Sequence, residues 1–451
     1  MKVRLNWYQY TSEFRRNITL AYPVMLGQLG HVLVGFADNV MVGELGPAPL
    51  AAVSLVNSLA FIAFSIGIGF TLAITPLVAE ADGEKNIENG QRYFQHGILM
   101  SIVLGILLTL ILFLMKPLLS VMQQPEEVVA FALPYFDMLA LSMLPLLVFQ
   151  AYKQFADGMS QTKYAMRAAV IANLLNIALN YLLIYGKFGF PRMELMGAGL
   201  GTLISRVAMF GFLLYMVHRK KEFAGFVSPI RFSNIKKNVL QKVFDLGYPS
   251  ALQMFFEIGI FASGILLAGV LGTHAQAANQ ISLNLATMTF MIAIGLGVAA
   301  TIRVGNQKGL KNFKELRRIA RSVFLLMLLI DIFFALIFIV FKDFLPWLYI
   351  DDVEVVKIAA SLLVVAGLFQ ISDGVQVVVL GALRGLQDVK APMYITFVAY
   401  WIIGFPICYY LGLHTTLGAL GIWIGLFVGL TASAIMLYLR FHKLTQKLIK
   451  Q

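Results

Sequence analysis

Apolar residues along this chain gather into long continuous runs, with polar residues confined to short intervals between them. Twelve runs reach the roughly 20 residues that an α-helix needs to cross the hydrocarbon core of a bilayer. They are 17–42, 50–79, 94–115, 128–152, 165–186, 197–217, 243–271, 277–302, 319–341, 355–382, 391–412 and 416–438. Each is read as a helix, because a membrane β-barrel shows short alternating strands instead. The pattern predicts an all-α integral membrane protein with twelve transmembrane helices.

Composition agrees with the pattern. Of the 451 residues, 59% are hydrophobic and 13% charged, against about 25% charged in a typical soluble domain. The mean hydropathy is +0.80. An ordinary soluble enzyme is excluded. Cys408 is the single cysteine, which removes disulfides and Cys/His zinc clusters from consideration. The six histidines show no metal-binding spacing. The basic stretch 1–16 leads into a run too long for a removable signal peptide, so the first run is expected to stay as a span.

Charge placement gives the orientation. With twelve spans both termini share one side, and 29 of the 35 Lys and Arg residues fall on that side. Lys116, Lys187, Arg192, Lys342 and Lys357 fall on the other, and Arg206 alone sits near the centre of a span. The positive-inside rule then makes both termini cytoplasmic. The same placement accounts for the +12 net charge through contacts with anionic lipids, with no nucleic acid partner.

The chain also repeats itself. A shift of 226 residues superposes Tyr22-Pro23 on Tyr248-Pro249, Gly43 on Gly269, Gly46 on Gly272 and Ala51-Ala52 on Ala277-Ala278. The register holds for Gly83 and Gly309, Lys85-Asn86 and Lys311-Asn312, Arg92 and Arg318, and Gln161 and Gln387. Six spans per half predict two six-helix bundles, 1–217 and 243–451, joined by the basic linker 218–242 and related by a pseudo-twofold along the membrane normal. Paired bundles of this kind suit rocking transport across a central cleft.

Polar residues at depth carry the chemistry, since a charge at a helix centre costs about 2.5–3.5 kcal/mol and usually faces a cavity. Asp38 lies in the first span, and Asn173, Asn176 and Asn180 in the fifth, with Asn176 and Asn180 on one helix face. A carboxylate with amide oxygens is a hard donor set for a small cation or a proton, while the asparagines read equally well as helix–helix contacts. Glu257 in the seventh span and Asp373 in the tenth lie in apolar surroundings, and neither is duplicated by the shift. They read as an ion-coupling site, with Arg206 as the only deep cation. Asp137 and Asp331 are weaker candidates. Arg206 reads as a structural partner of one of these acids, and His31 shares a helix face with Asp38. Gly425 and Gly429 read as a close-packing pair, and a few of the abundant Phe, Tyr and Met side chains are expected to line the cleft.

The segments ADNVMVGELGPAPLAAVSL (37–55), IGIGFTLAITPLVAEADGEKN (66–86) and SDGVQVVVLGALRGLQD (372–388), with the paired Tyr-Pro dipeptides, resemble the multidrug and toxic compound extrusion family, NorM-type branch. The similarity covers about residues 10–440. It implies an inner-membrane antiporter for amphipathic organic cations, such as fluoroquinolones and dyes, driven by Na+ or H+; a monomer with no cofactor is expected. Asp38 resembles the family's aspartate of the first span, Asn176 and Asn180 its polar pair, and Glu257 and Asp373 its acidic cation site, here expected to hold Na+. A flippase for lipid-linked oligosaccharides or peptidoglycan precursors is the nearest rival, but it would want several deep Arg or Lys residues. An intramembrane enzyme would want a paired-aspartate motif that is absent.

Overall fold

The computed structural model describes residues 7–122, 124–227 and 235–450. Lys2, Arg4 and Arg231 of the basic side, and 228–234 of the linker, lie outside them. Among the described residues there are helices and turns and no strands. Among these residues twelve helices are long and apolar enough to cross a membrane: α1 Phe14–Gly43, α2 Pro47–Gly83, α3 Ile87–Val121, α4 Glu126–Gly158, α5 Thr162–Tyr185, α6 Glu194–Arg219, α7 Lys237–Val270, α8 Thr273–Gly309, α9 Phe313–Val340, α10 Val353–Gly385, α11 Lys390–Leu413 and α12 Ala419–Lys450.

Each helix contains its sequence-predicted run, apart from a residue or a few at some ends, and most extend past it. Hydropathy reads only the stretch inside hydrocarbon, whereas helices continue where charged residues are solvated. The extension has a consequence: Lys153, Arg303, Arg384 and Arg440, assigned to loops from the sequence, are helical residues.

The chain divides into two compact units. One is Leu26–Ala251; the other is Met1–Met25 with Leu252–Gln451. Leu26–Ala251 holds two apolar cores, one built around Phe94, Phe149, Phe155 and Phe223, the other around Val56, Leu112, Phe136 and Leu147. The unit containing Leu252–Gln451 likewise has two, one around Phe369, Tyr400 and Trp423, the other around Leu296, Val323, Val379 and Leu383.

The internal repeat is visible in the backbone. Gly46 and Gly272, 226 residues apart, precede α2 and α8 with φ of 119° and 110°, a region that a side chain rarely tolerates. Lys85 and Lys311 are both left-handed, at φ 54° and 55°. The asparagines that follow cap the next helix identically: Asn86 Oδ1 accepts from Asn89 N at 3.0 Å and Asn312 Oδ1 from Glu315 N at 3.2 Å, each satisfying an otherwise orphaned donor. α11 departs from regular winding through a π-helical turn, Val398–Gly404.

Candidate functional site

In Leu26–Ala251 the sequence-predicted polar residues of α1 and α5 meet. Asn180 Nδ2 donates to Asp38 Oδ1 at 2.7 Å and to Asn176 Oδ1 at 3.2 Å. Asn180 is fully buried, and it fits because Gly201 of α6 has no side chain: a Cβ there would collide with Asn180 Oδ1. Asn173 Nδ2 lies beside Gly30 of α1, so positions 173, 176 and 180 turn one helical face toward α1.

Arg206 does not pair with an acid as the sequence suggested. Its Nη1 donates to Ser142 Oγ at 2.6 Å, and its guanidinium stands over the Phe64 ring, 4.7 Å from the centroid. Asp38, Tyr135 and His31 are near enough for their charges to interact with it, yet no carboxylate lies within 4 Å of it among the described residues. Asp137 has a structural role instead, as a half-exposed ion pair with Lys116 at 2.7 Å.

In the other unit Glu257 and Asp373 interact electrostatically. Gln253 Nε2 donates to Glu257 Oε2 at 2.7 Å, one turn away on α7. Gln253 Oε1 accepts from Arg384 Nη2, so Arg384 reaches Glu257 through an amide. Arg206 is therefore not the only deep cation, a correction that follows from α10 extending to Gly385. Asp373 is 6% exposed, and its Oδ1 is buried without a hydrogen-bond partner. Tyr400, in the π-helical turn of α11, donates its hydroxyl to Gln376 Oε1 on α10 and interacts electrostatically with both acids.

Asp331 joins this group. It is 1% exposed, its Oδ2 has no partner, and its charge interacts with that of Asp373. Among the described residues no Lys or Arg nitrogen lies within 4 Å of Asp38, Glu257, Asp331 or Asp373. An unpaired carboxylate in low dielectric is costly unless a proton or cation neutralises it, so both groups are suited to taking up a small cation. The sequence reading missed Gln253, Arg384 and Tyr400. The spacing of Gln253 and Glu257, four residues apart on one helix, was the available signal for the first.

The MatE family model matches residues 23–182 and 249–410, two segments whose starts are 226 residues apart. The multidrug resistance protein NorM of Photobacterium profundum is 33% identical over 440 residues, 96% of each chain. The multidrug resistance protein MdtK of Proteus mirabilis is 33% identical over 434 residues, 95% of each. Among solved structures, a variant of the Vibrio cholerae MATE transporter VcmN superposes with a TM-score of 0.90 at 19% identity, covering 98% of this chain and 100% of that one. The eukaryotic MATE transporter AtDTX14 gives 0.87 at 22% identity, covering 98% and 99%. The structural likenesses establish the fold.

Proposed function

The chain belongs to the MatE family of membrane transporters, and from that membership we propose that it is a NorM-type multidrug exporter, an antiporter of amphipathic organic cations, fluoroquinolones and cationic dyes among them, against inward Na+ or H+. It is a transporter and not an enzyme. Na+ is the first choice of coupling ion, with Glu257 and Asp373 as its ligands. The proposed setting is a bacterial inner membrane with both termini cytoplasmic.

The observation that carries the reading is a pair of buried carboxylates with no ion-pair partner among the described residues, Asp331 and Asp373, each with an orphaned oxygen. In a scaffold such groups would be paired or absent. In an antiporter they are the working parts, because one carboxylate cannot hold both an organic cation and its coupling ion at full strength. Cargo enters with the acids free. After alternating access to the far side, ion binding at Glu257, Asp373 or Asp38 displaces the cargo those acids attract and releases it. Linkage makes the antagonism reciprocal.

Ethidium efflux in everted vesicles, with Na+ and pH gradients imposed separately, tests the reading and identifies the ion. Gradient-driven efflux by the wild type, abolished in Glu257→Gln and Asp373→Asn variants that still insert, is the expected result. Normal efflux by the double variant would overturn the assignment.

A further inference from the structure

Arg206 has more donors than partners. A guanidinium carries five N–H donors in a rigid fork. Among the described residues this one makes a single hydrogen bond, to Ser142 Oγ on α4. Its central carbon stands 4.7 Å from the centroid of the Phe64 ring on α2, and its remaining donors make no hydrogen bond among the described residues. The side chain is partly exposed, although the residue is mid-way along α6.

A cation at this depth normally pairs with an acid. The acid that interacts with it, Asp38, instead takes a hydrogen bond from Asn180 at 2.7 Å and is beyond ion-pair distance of Arg206. The unit thus presents an acceptor of positive charge and a donor array for negative charge, separate yet close enough to interact. Tyr135 is the other titratable group that acts on Arg206, and Arg206 in turn acts on His31.

We propose that Arg206 is an anion subsite, whose guanidinium edge binds the carboxylate of zwitterionic cargo while Asp38 takes the cationic end. Planar guanidinium pairs with carboxylate through two parallel hydrogen bonds, stronger than neutral ones and selective for that shape. Arg206 is then a specificity residue: it favours amphiphiles bearing both an amine and a carboxylate over permanent cations of the same size. The inference rests on the export reading above and assigns a residue that selects its carboxylate-bearing cargo.

The test uses full-length protein and three probes: a zwitterionic fluoroquinolone, its methyl ester, and ethidium. Binding is measured by fluorescence on purified protein and export in vesicles, for the wild type and for Arg206→Gln and Arg206→Lys. Arg206→Gln is expected to weaken binding of the zwitterion about tenfold or more, as loss of a charged hydrogen-bonded pair implies, and to leave the ester and ethidium bound at least as tightly, since a positive charge near Asp38 is removed. Arg206→Lys should recover only part of the loss. Equal losses for all three probes would assign Arg206 a structural role, and unchanged zwitterion binding would remove the subsite; either overturns the proposal. Wild-type protein that binds the zwitterion no better than the ester would also overturn it. Wild-type protein that exports none of the probes, while its zwitterion binding depends on Arg206, would overturn the export reading and leave the subsite standing.

Discussion

The carboxylate of Asp331 on α9 rests against the backbone of Gly374 on α10: a Cβ built on that glycine would collide with Asp331 Oδ2. Gly374 follows Asp373 directly, so the absence of a side chain there lets a second buried acid approach Asp373.

This relationship makes Gly374→Ala a costly change. In a helix interior the substitution ordinarily helps by about 1 kcal/mol. Here overpacking should dominate and destabilise the protein by about 1–3 kcal/mol. Combining it with Asp331→Ala removes the colliding atoms, so thermal unfolding in detergent should show the double variant recovering at least about 1 kcal/mol relative to additivity. Additive effects would mean that the contact is not the cause.

The α1–α5 site ranks its own residues. Asn180 supplies the hydrogen bond to Asp38, whereas Asn176 only accepts from Asn180. Asn180→Ala should lower kcat/KM for ethidium export about tenfold, the scale of one hydrogen bond to a charged group. Asn176→Ala should cost less, and Asp38→Asn more than either. Export assays on the three variants check the order, and an Asn176→Ala loss equal to or above that of Asn180→Ala would contradict it.

Glu13, just ahead of α1, ties the start of that helix to α8 and α9. Its Oε2 lies 2.5 Å from Arg303 Nη2 and its Oε1 3.0 Å from Arg318 Nη2. Burial opposes the charged form, but the hydrogen bond from Arg303 and the charges of Arg303, Arg318 and Arg16 outweigh it and hold the carboxyl below its ordinary range. A lowered value means stability that is complete above the unfolded pKa of 4.5 and lost as pH falls through the lower folded value. Glu13→Gln should cost on the order of 3 kcal/mol near neutrality. Unfolding midpoints compared between pH 7 and pH 3 should show the gap from wild type shrinking in acid; a constant gap would exclude this ion network as its source.

The fold was legible because its signals are one-dimensional. Run length gave the twelve helices, and the 226-residue shift anticipated matched turns at Gly46 and Gly272 and matched caps at Asn86 and Asn312. At the sites, depth was legible and facing was not. Asn180 could be placed on a face shared with Asn176, but its grip on Asp38 depends on the gap at Gly201. Asp331 looked like Asp137 in sequence, two acids in apolar runs. Lys116 neutralises one, and Gly374 admits the other beside Asp373. Arg384 escaped notice because hydropathy ends a span where charges begin, while the helix continues and carries its side chain back to Gln253. The π-helical turn that sets Tyr400 has no periodic signature.

The central claim is that cargo and coupling ion compete for these carboxylates. The most direct measurement is the ethidium affinity of the purified protein, titrated with Na+ at fixed pH and with pH at fixed Na+. The account requires Kd to rise with at least one of the two ions, and that dependence to vanish in Glu257→Gln/Asp373→Asn. A Kd indifferent to both ions, or an unchanged ion dependence in the double variant, would contradict it.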